Sequence, residues 1–559
     1  MSKKDIFLLL LVSLCVFASC RSKKSSGKDM AASPEELNAK VTDLIRSIID
    51  FAGTNEGKVD DSASLDFNAV VKMVYEKEKY ASVWSENEKW KPLGDTLLRF
   101  IDNAKLYGLF PQDYHYDVLD SIRIKFFNDS LSESDRKNAA LWSKADVLLT
   151  DAFVHIVKDI KLGRLPQDSI TLRKDSVLTD EFYYQRLKLV QKNNAFGLVF
   201  HALEPKYTGY NQLKAAIPAF LSNVSNKVYT LVPAPSKKQA NFKELLQKRL
   251  FEGGFIDYDS TQADSVEISA AVKKFQENNG ITIDGKVGDE TVRVMNISDR
   301  DKFIRIAITM DRYKLMPDQM PSRYVWVNLP GYYMNFYEND TLALTSKIIC
   351  GKPKTRTPLL TSAISELITY PQWTPPPSII LKEILPAVKK NPGYLAKKGF
   401  SLLDKNGDEV DPYSVEWSQY SKGIPYRVVQ GSGDDNALGI LKFNFPNKYA
   451  VYLHDTNQRY LFSQTTRSLS HGCVRVQEWQ KLAYSIVRYD HSTGKPSVED
   501  SLSSWLKRKV KRSISVKNKL PVFIRYFSCE GKNGSVVFYD DIYGEDKGLQ
   551  QKYFATKKI

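Results

Sequence analysis

The hydrophobic period of this 559-residue chain changes near residue 300, and that change limits its architecture more than any other feature. Before it, apolar residues recur at helical spacing, as in PEELNAKVTDLIRSIIDFA, in Ala139–Lys161 and in Tyr210–Val224. Turns such as Gly108-Leu109-Phe110-Pro111 and Gly163-Arg164-Leu165-Pro166 separate these runs. After it, aromatic and β-branched residues alternate with polar ones in SRYVWVNLPGYYMNFYEN, LALTSKIICG, LGILKFNFP, KYAVYLHDT and PVFIRYFSC. That is the two-residue period of strands. Two periods in separate blocks predict a multidomain α+β protein. We read residues 35–232 as a helical scaffold, 236–298 as a compact three-helix module, 300–530 as a mainly-β domain and 531–559 as a C-terminal tail. The boundary at Pro233-Ala234-Pro235-Ser236 is a composition break.

Residues 375–425 interrupt the strand pattern with PPPSIILKEILPAVKKNPGYLAKKGF and the hairpin-like SLLDKNGDEVDPY. An insertion of that length inside a sheet domain reads as a lid or binding flap. Asp404-Lys405-Asn406-Gly407-Asp408 has its glycine at position four rather than six, with no glutamate at twelve, so it is a turn and not a calcium loop.

At the N-terminus, Lys3 and Lys4 precede an apolar run from Ile6 to Leu14 that ends in Ala18-Ser19-Cys20. A short basic region, an apolar core too short to span a bilayer and small residues at its end make residues 1–20 a secretory signal. The small pair before Cys20 resembles the lipobox of bacterial lipoproteins, with Phe17 where leucine is usual. That resemblance implies lipid on Cys20, a membrane anchor and a periplasmic location, with residues 21–34 as a flexible tether. Lys and Arg exceed Asp and Glu by 80 − 65 = 15, which favours anionic polymers. Export removes nucleic acid from that set and leaves acidic lipid and wall glycan.

With Cys20 lipidated, the mature chain keeps Cys350, Cys473 and Cys529, an odd count without a CxxC pair. A zinc ribbon or thioredoxin-like centre is therefore not expected. Cys350 and Cys529 lie in apolar, strand-like contexts and read as buried packing. His115, His155 and His201 show no ligand spacing and read as structural or surface residues, and no metal or organic cofactor is implied.

In the three-helix module, Phe242, Leu245, Leu246 and Leu250 fall at helical spacing before Gly253-Gly254-Phe255. Ile268, Val272 and Phe275 mark a second helix, then a loop from Ile283 to Gly288 and a third helix from Asp289 to Met295. The order helix, AVKKFQ, NNGITIDGKVG, ETV resembles the peptidoglycan-binding domain of wall enzymes.

The chemistry concentrates between His454 and Arg475. Tyr449 to His454 reads as a strand with Val451 and Leu453 on one face and Tyr452 and His454 on the other. Ser470-His471-Gly472-Cys473-Val474-Arg475-Val476 follows. A reactive cysteine needs a group that stabilises its thiolate or takes its proton, and imidazole suits that task near neutral pH. Gly472 permits a tight turn beside the sulfur. The residues alone leave two readings open, a reactive cysteine or a buried one beside satisfied histidines.

His454, a fifteen-residue gap and Ser-His-Gly-Cys together resemble the active-site motif of YkuD-like L,D-transpeptidases. Asn436-Ala437-Leu438-Gly439, Phe445-Pro446-Asn447 and Tyr452-Leu453-His454-Asp455-Thr456 extend the match. With the scaffold, wall-binding module and flap, the chain resembles the large YcbB-like branch, where arginine takes the place of Arg475. Gly431-Ser432-Gly433-Asp434 lacks the prolines usual before Asn436. The resemblance implies Cys473 as nucleophile, His454 as general base, His471 supporting the geometry and the Gly472–Cys473 backbone forming an oxyanion hole. Arg475, Ser470, Tyr452 and Trp373 would contact substrate, and Arg475 would hold a carboxylate or brace the loop.

The implied reaction joins peptidoglycan stem peptides by 3→3 cross-links through a Cys473 thioester, in an enzyme acylated by carbapenems. Release of the thioester by water would make an L,D-carboxypeptidase, and capture by a protein lysine an attachment enzyme. A non-catalytic wall-binding lipoprotein is the alternative from another class.

Overall fold

The computed structural model describes residues 29–127, 132–168, 170–174, 177–225, 228–235, 240–257, 264–279, 281–490 and 498–557. The expected signal and the expected lipidation site at Cys20 lie outside them. Among the described residues no helix is long and apolar enough to cross a membrane. The chain forms two compact units.

The first unit is helical and is built around Ala139–Lys161, a helix buried on nearly every side. Three buried aspartates on that helix are satisfied by other segments. Asp146 accepts from Val83 N (2.8 Å), Trp84 N (2.9 Å) and Tyr75 Oη (2.7 Å). His115 Nε2 lies 2.7 Å from Asp151, and His155 sits between Asp66 and Asp159 at 3.2 and 3.4 Å. Buried carboxylates of this kind persist only when fully hydrogen-bonded. Both histidines therefore serve packing.

The second unit comprises Leu165–Lys174 and Lys206–Ala555, and Thr208–Ser222 is the first helix of its longer stretch. Helices Phe242–Glu252, Ser265–Asn278 and Asp289–Met295 enclose a small core of Leu246, Leu250, Val272, Phe275, Val292 and Met295. Asp264 and Glu267 cap the second helix reciprocally. Buried Gln276 accepts from the N–H groups of Asp284 and Gly285 and donates to Lys286 O, which locks the glycine loop.

Residues after 320 supply the strands β1 (Arg323–Asn328), β2 (Tyr333–Glu338), β3 (Thr341–Gly351), β4 (Leu360–Thr369), β5 (Phe400–Leu403), β6 (Arg427–Gln430), β7 (Leu441–Asn444), β8 (Leu453–His454), β9 (Ser468–Ser470), β10 (Val474–Val476), β11 (Arg512–Arg525), β12 (Cys529–Lys532) and β13 (Ser535–Phe538). Pairing runs β1-β2-β3-β10-β8-β7-β4-β11 and returns to β1, so the sheet closes on itself. Only β8–β10 and β11–β1 are parallel within this ring, while β9 runs parallel to the end of β3. Val325, Phe336, Ile364, Phe443, Leu453, Val474 and Ile524 fill the core, on the alternate positions that the strand period predicts.

The insertion after β4 has its own core of Ile379, Ile384, Leu385, Val388, Leu395, Leu402, Trp417 and Val428. Its hairpin-like segment does not pair with itself along its length. β5 pairs antiparallel with β6 instead, and a single Leu403–Glu409 bridge closes the turn, where Asp404 accepts from the N–H groups of Asn406 and Asp408.

The stretch expected as a tail is folded. β12 and β13 form a hairpin against Thr208–Ser222, where a Cβ on Gly531 would come within 2.0 Å of Gln212 O. Helix Glu545–Tyr553 packs on Asp299–Lys314, and its buried Asp546 takes Arg312 Nη1 at 2.6 Å. Four-residue strands and a short polar helix carry too little periodicity to be seen in sequence.

Candidate active site

Strands β8 and β10 lie side by side in parallel, with His454 opposite Arg475. Val474 N donates to Tyr452 O, which sets Cys473 beside Tyr452. On the other edge of β8, Lys442 of β7 is opposite His454. Residues directly opposite in a sheet point to the same face, as do residues two apart. Lys442, Tyr452, His454, Cys473 and Arg475 therefore share one face. Tyr452 and His454 stack edge to face at 5.5 Å, and Lys442 Nζ sits 4.0 Å from the Tyr452 ring centroid.

The loop before Cys473 is held from several directions. Gly472 has φ of +124°, a conformation that L side chains rarely adopt. Its carbonyl accepts from Thr357 Oγ1 at 2.7 Å, and the same hydroxyl accepts from Gly351 N at 2.9 Å. Tyr543 Oη in turn donates to Gly351 O at 2.7 Å and accepts from Thr357 N at 3.1 Å. Thr357 is buried, so Thr357→Val would strand a buried N–H and a buried carbonyl. We expect it to lose about 2–3 kcal/mol in denaturant unfolding, with valine filling the same volume.

Ser470 is also buried, and its hydroxyl is committed within the loop. It donates to Cys473 O at 2.6 Å and accepts from Gly472 N at 3.1 Å. Both hydrogen bonds shape the turn that carries Cys473. The oxyanion assignment changes with them. Gly472 N–H already has a partner, whereas Cys473 N–H has none among the described residues.

His471 is half-exposed and its Nε2 pairs with Glu383 of the flap. Trp373 lies at the flap base, bridged to Gln430 through both backbone hydrogen bonds and packed on Phe400 at 5.9 Å. Arg475 Nη1 donates to Gln458 Oε1 at 3.0 Å, while its buried Nε has no partner.

Burial sets the electrostatics. It pulls His454 down to about 3, helped by the positive charges of Arg475 and Lys442, so the imidazole is neutral at ordinary pH. Burial pushes the Cys473 thiol up, against the pull of Tyr452, Lys442 and Arg475. Lys442 and Arg475 are themselves lowered by burial, yet neither has a carboxylate within ion-pair distance among the described residues. Cys350 and Cys529 are fully buried and pushed up to about 12, which makes them inert thiols. Cys473 is the one partly accessible thiol among the described residues.

The sequence reading missed Thr357, Tyr543, Glu383 and Lys442. The first three are seventy or more residues from Cys473 in sequence, and a lone lysine in a strand carries no signal of its own. Among the described residues no cluster of His, Cys, Asp and Glu could hold a metal ion.

Comparison with known proteins gives three family matches. Residues 322–490 match the L,D-transpeptidase catalytic domain of the YkuD type, 69–217 a scaffold domain, and 241–295 a "Putative peptidoglycan binding domain". A Haemophilus influenzae protein described as a "Putative L,D-transpeptidase" is 36% identical over 245 residues, 44% of this chain and 48% of that protein. The match thus spans about half the length of this relative. Among solved structures, Mycobacterium tuberculosis L,D-transpeptidase 1 is 10% identical, with a TM-score of 0.15 over 36% of this chain and 61% of its own. A variant of the Enterococcus faecium L,D-transpeptidase is 13% identical, with a TM-score of 0.16 over 39% and 62%. Cys473 and most of the closed sheet thus lie in the stretch that matches the L,D-transpeptidase catalytic domain of the YkuD family, and the three-helix module lies in the stretch that matches a "Putative peptidoglycan binding domain".

Proposed function

We propose that the protein is an exported L,D-transpeptidase that joins peptidoglycan stem peptides by 3→3 cross-links through a thioester on Cys473. The observation that carries this reading is the meeting of one accessible thiol, a neutral imidazole and two cations without carboxylate partners on a single sheet face. Such a site suits an acyl donor that bears a carboxylate and reacts at an amide carbonyl.

In the first half-reaction the Cys473 sulfur attacks the carbonyl of the third residue of a tetrapeptide stem. Neutral His454 takes the thiol proton as the S–C bond forms and passes it to the departing D-alanine amine as the C–N bond breaks. Cys473 N–H is the backbone donor free to face the developing oxyanion. In the second half-reaction the side-chain amine of a neighbouring stem attacks the thioester, His454 takes its proton and returns it to the sulfur. Arg475 would hold the carboxylate of a stem, and Tyr452 and Trp373 would line the approach beneath the flap. His471, paired to Glu383, would set the flap against the catalytic loop. Exclusion of water by the flap would favour the amine over hydrolysis. The peptidoglycan-binding domain would hold the glycan, and lipid on Cys20 would anchor the chain in the periplasm.

Incubation of the chain lacking residues 1–20 with a carbapenem, read by intact mass, tests the nucleophile. We expect one adduct per chain on the wild type and none on Cys473→Ala. Mass analysis of products from a stem tetrapeptide then reads the outcome: a cross-linked dimer supports the proposal, and a tripeptide alone would replace it with L,D-carboxypeptidase activity.

A further inference from the structure

Lys442 occupies a position that packing does not account for. It lies in β7, directly opposite His454, half-buried and with its ammonium 4.0 Å from the centre of the Tyr452 ring. A lysine in a strand usually extends its stem so that the ammonium stays hydrated or meets a carboxylate. Here neither is satisfied by a carboxylate among the described residues. Glu366 of β4 is the nearest acidic influence, and its oxygens are committed to Asn444 Nδ2 at 2.6 Å and to Ser513 Oγ. Glu383 of the flap is committed to His471.

The groups facing Cys473 are Lys442 from β7, Tyr452 and His454 from β8, and Arg475 from β10. Of these, His454 is neutral, Tyr452 is uncharged and Arg475 is partly engaged by Gln458. The usual partner of a reactive cysteine is an imidazolium, which this site disfavours because the ring is buried and two cations flank it. Positive charge must reach the sulfur from elsewhere, and the ring of Tyr452 is the shelf that carries it.

We propose that Lys442 is an electrostatic positioning residue, whose ammonium, stacked on Tyr452 and without a carboxylate partner, eases deprotonation of the Cys473 thiol against the burial that opposes it. This rests on Cys473 being the nucleophile. Cys473 gives its proton to neutral His454 as the S–C bond forms, and that proton leaves on the amine, so Lys442 keeps its own protons throughout. Arg475 contributes charge as well, but its Nη1 is engaged by Gln458, whereas the Lys442 ammonium has no carboxylate partner among the described residues.

The test is the pH profile of Cys473 alkylation by iodoacetamide in the chain lacking residues 1–20, followed by peptide mass mapping. In this reaction the S–C bond forms, iodide leaves and the thiol proton goes to buffer, so the rate reports the thiolate without any wall substrate. We expect Lys442→Met to move the midpoint up by about one pH unit or more and to slow alkylation at pH 7 about tenfold. Lys442→Arg, which keeps the charge, should stay near wild type, and so should the surface variant Lys448→Met. Thermal unfolding checks that each variant is folded. A Met profile that overlays wild type, or an Arg profile displaced as far as the Met one, overturns the role of Lys442 alone. A wild-type Cys473 that alkylates no faster than in the urea-unfolded chain overturns the nucleophile reading, and this inference with it.

Discussion

Cys473→Ser should leave the fold intact and lower acyl transfer by on the order of 10^4-fold or more, despite keeping a nucleophilic atom in place. The reason lies in what surrounds that atom. A thiol gives up its proton readily enough to be helped by nearby positive charge, and Lys442 and Arg475 supply it. A serine hydroxyl is a far weaker acid and needs a competent base at the moment of attack. His454, pulled down to about 3 by burial and by two flanking cations, is a poor base for that purpose. The site is thus matched to sulfur and cannot be converted to a serine enzyme by one substitution. Side-chain volume changes little, and the Cys473 sulfur's contact to Ala450 O is long at 4.0 Å, so stability should shift by less than about 1 kcal/mol. Single-turnover acylation, measured alongside thermal unfolding, checks both halves. A serine variant within a hundredfold of wild type would mean that His454 is a stronger base than its burial allows.

The second large effect is on stability toward acid. In the unfolded chain His454 takes a proton near its ordinary value of 6.5, but in the folded protein it resists until about 3. Between those limits the unfolded state binds more protons, so folding stability falls as pH falls through that window and the neutral ring's contribution is present only above it. The loss from this one residue is about 3 kcal/mol between pH 7 and pH 4. Carboxylates also titrate over part of that range, so the measurement is a comparison. Urea unfolding at pH 7, 5.5 and 4 should show His454→Gln losing about 3 kcal/mol less than wild type over the same interval. Equal losses would show that the ring is hydrated in the native state.

The readable parts of this protein are those where local pattern and tertiary role coincide. Alternation through Val325, Val327 and Ile524 announced strands because those positions are also the core. His454 and Cys473 could be paired because a short motif surrounds each of them and β8 and β10 are neighbours. Legibility ends where a role is made by distant contacts. Thr357 looks like any threonine after a strand until Gly351 and Gly472 are found on either side of its hydroxyl. Ser470, beside the reactive cysteine, invited a substrate role, yet the fold turns it inward. Lys442 reads as a solvated strand lysine, since nothing in LGILKFNFP signals that its register partner is His454. Residues 531–559 looked like a tail because SVVF and EDKGLQQKY are too short and too polar to show which side they bury.

Tyr543 gives the catalytic loop a dependence on order of arrival. Its hydroxyl completes the hydrogen bonds of Gly351 and Thr357, which in turn fix Gly472, although it follows Cys473 by 543 − 473 = 70 residues. A chain that emerges N-terminus first has its thiol and both histidines in hand well before this clasp is available. During that interval the sulfur is present but its turn lacks the far support, so the reactive geometry is the last thing to mature. The turn that carries Cys473 is thereby completed by a residue made well after it.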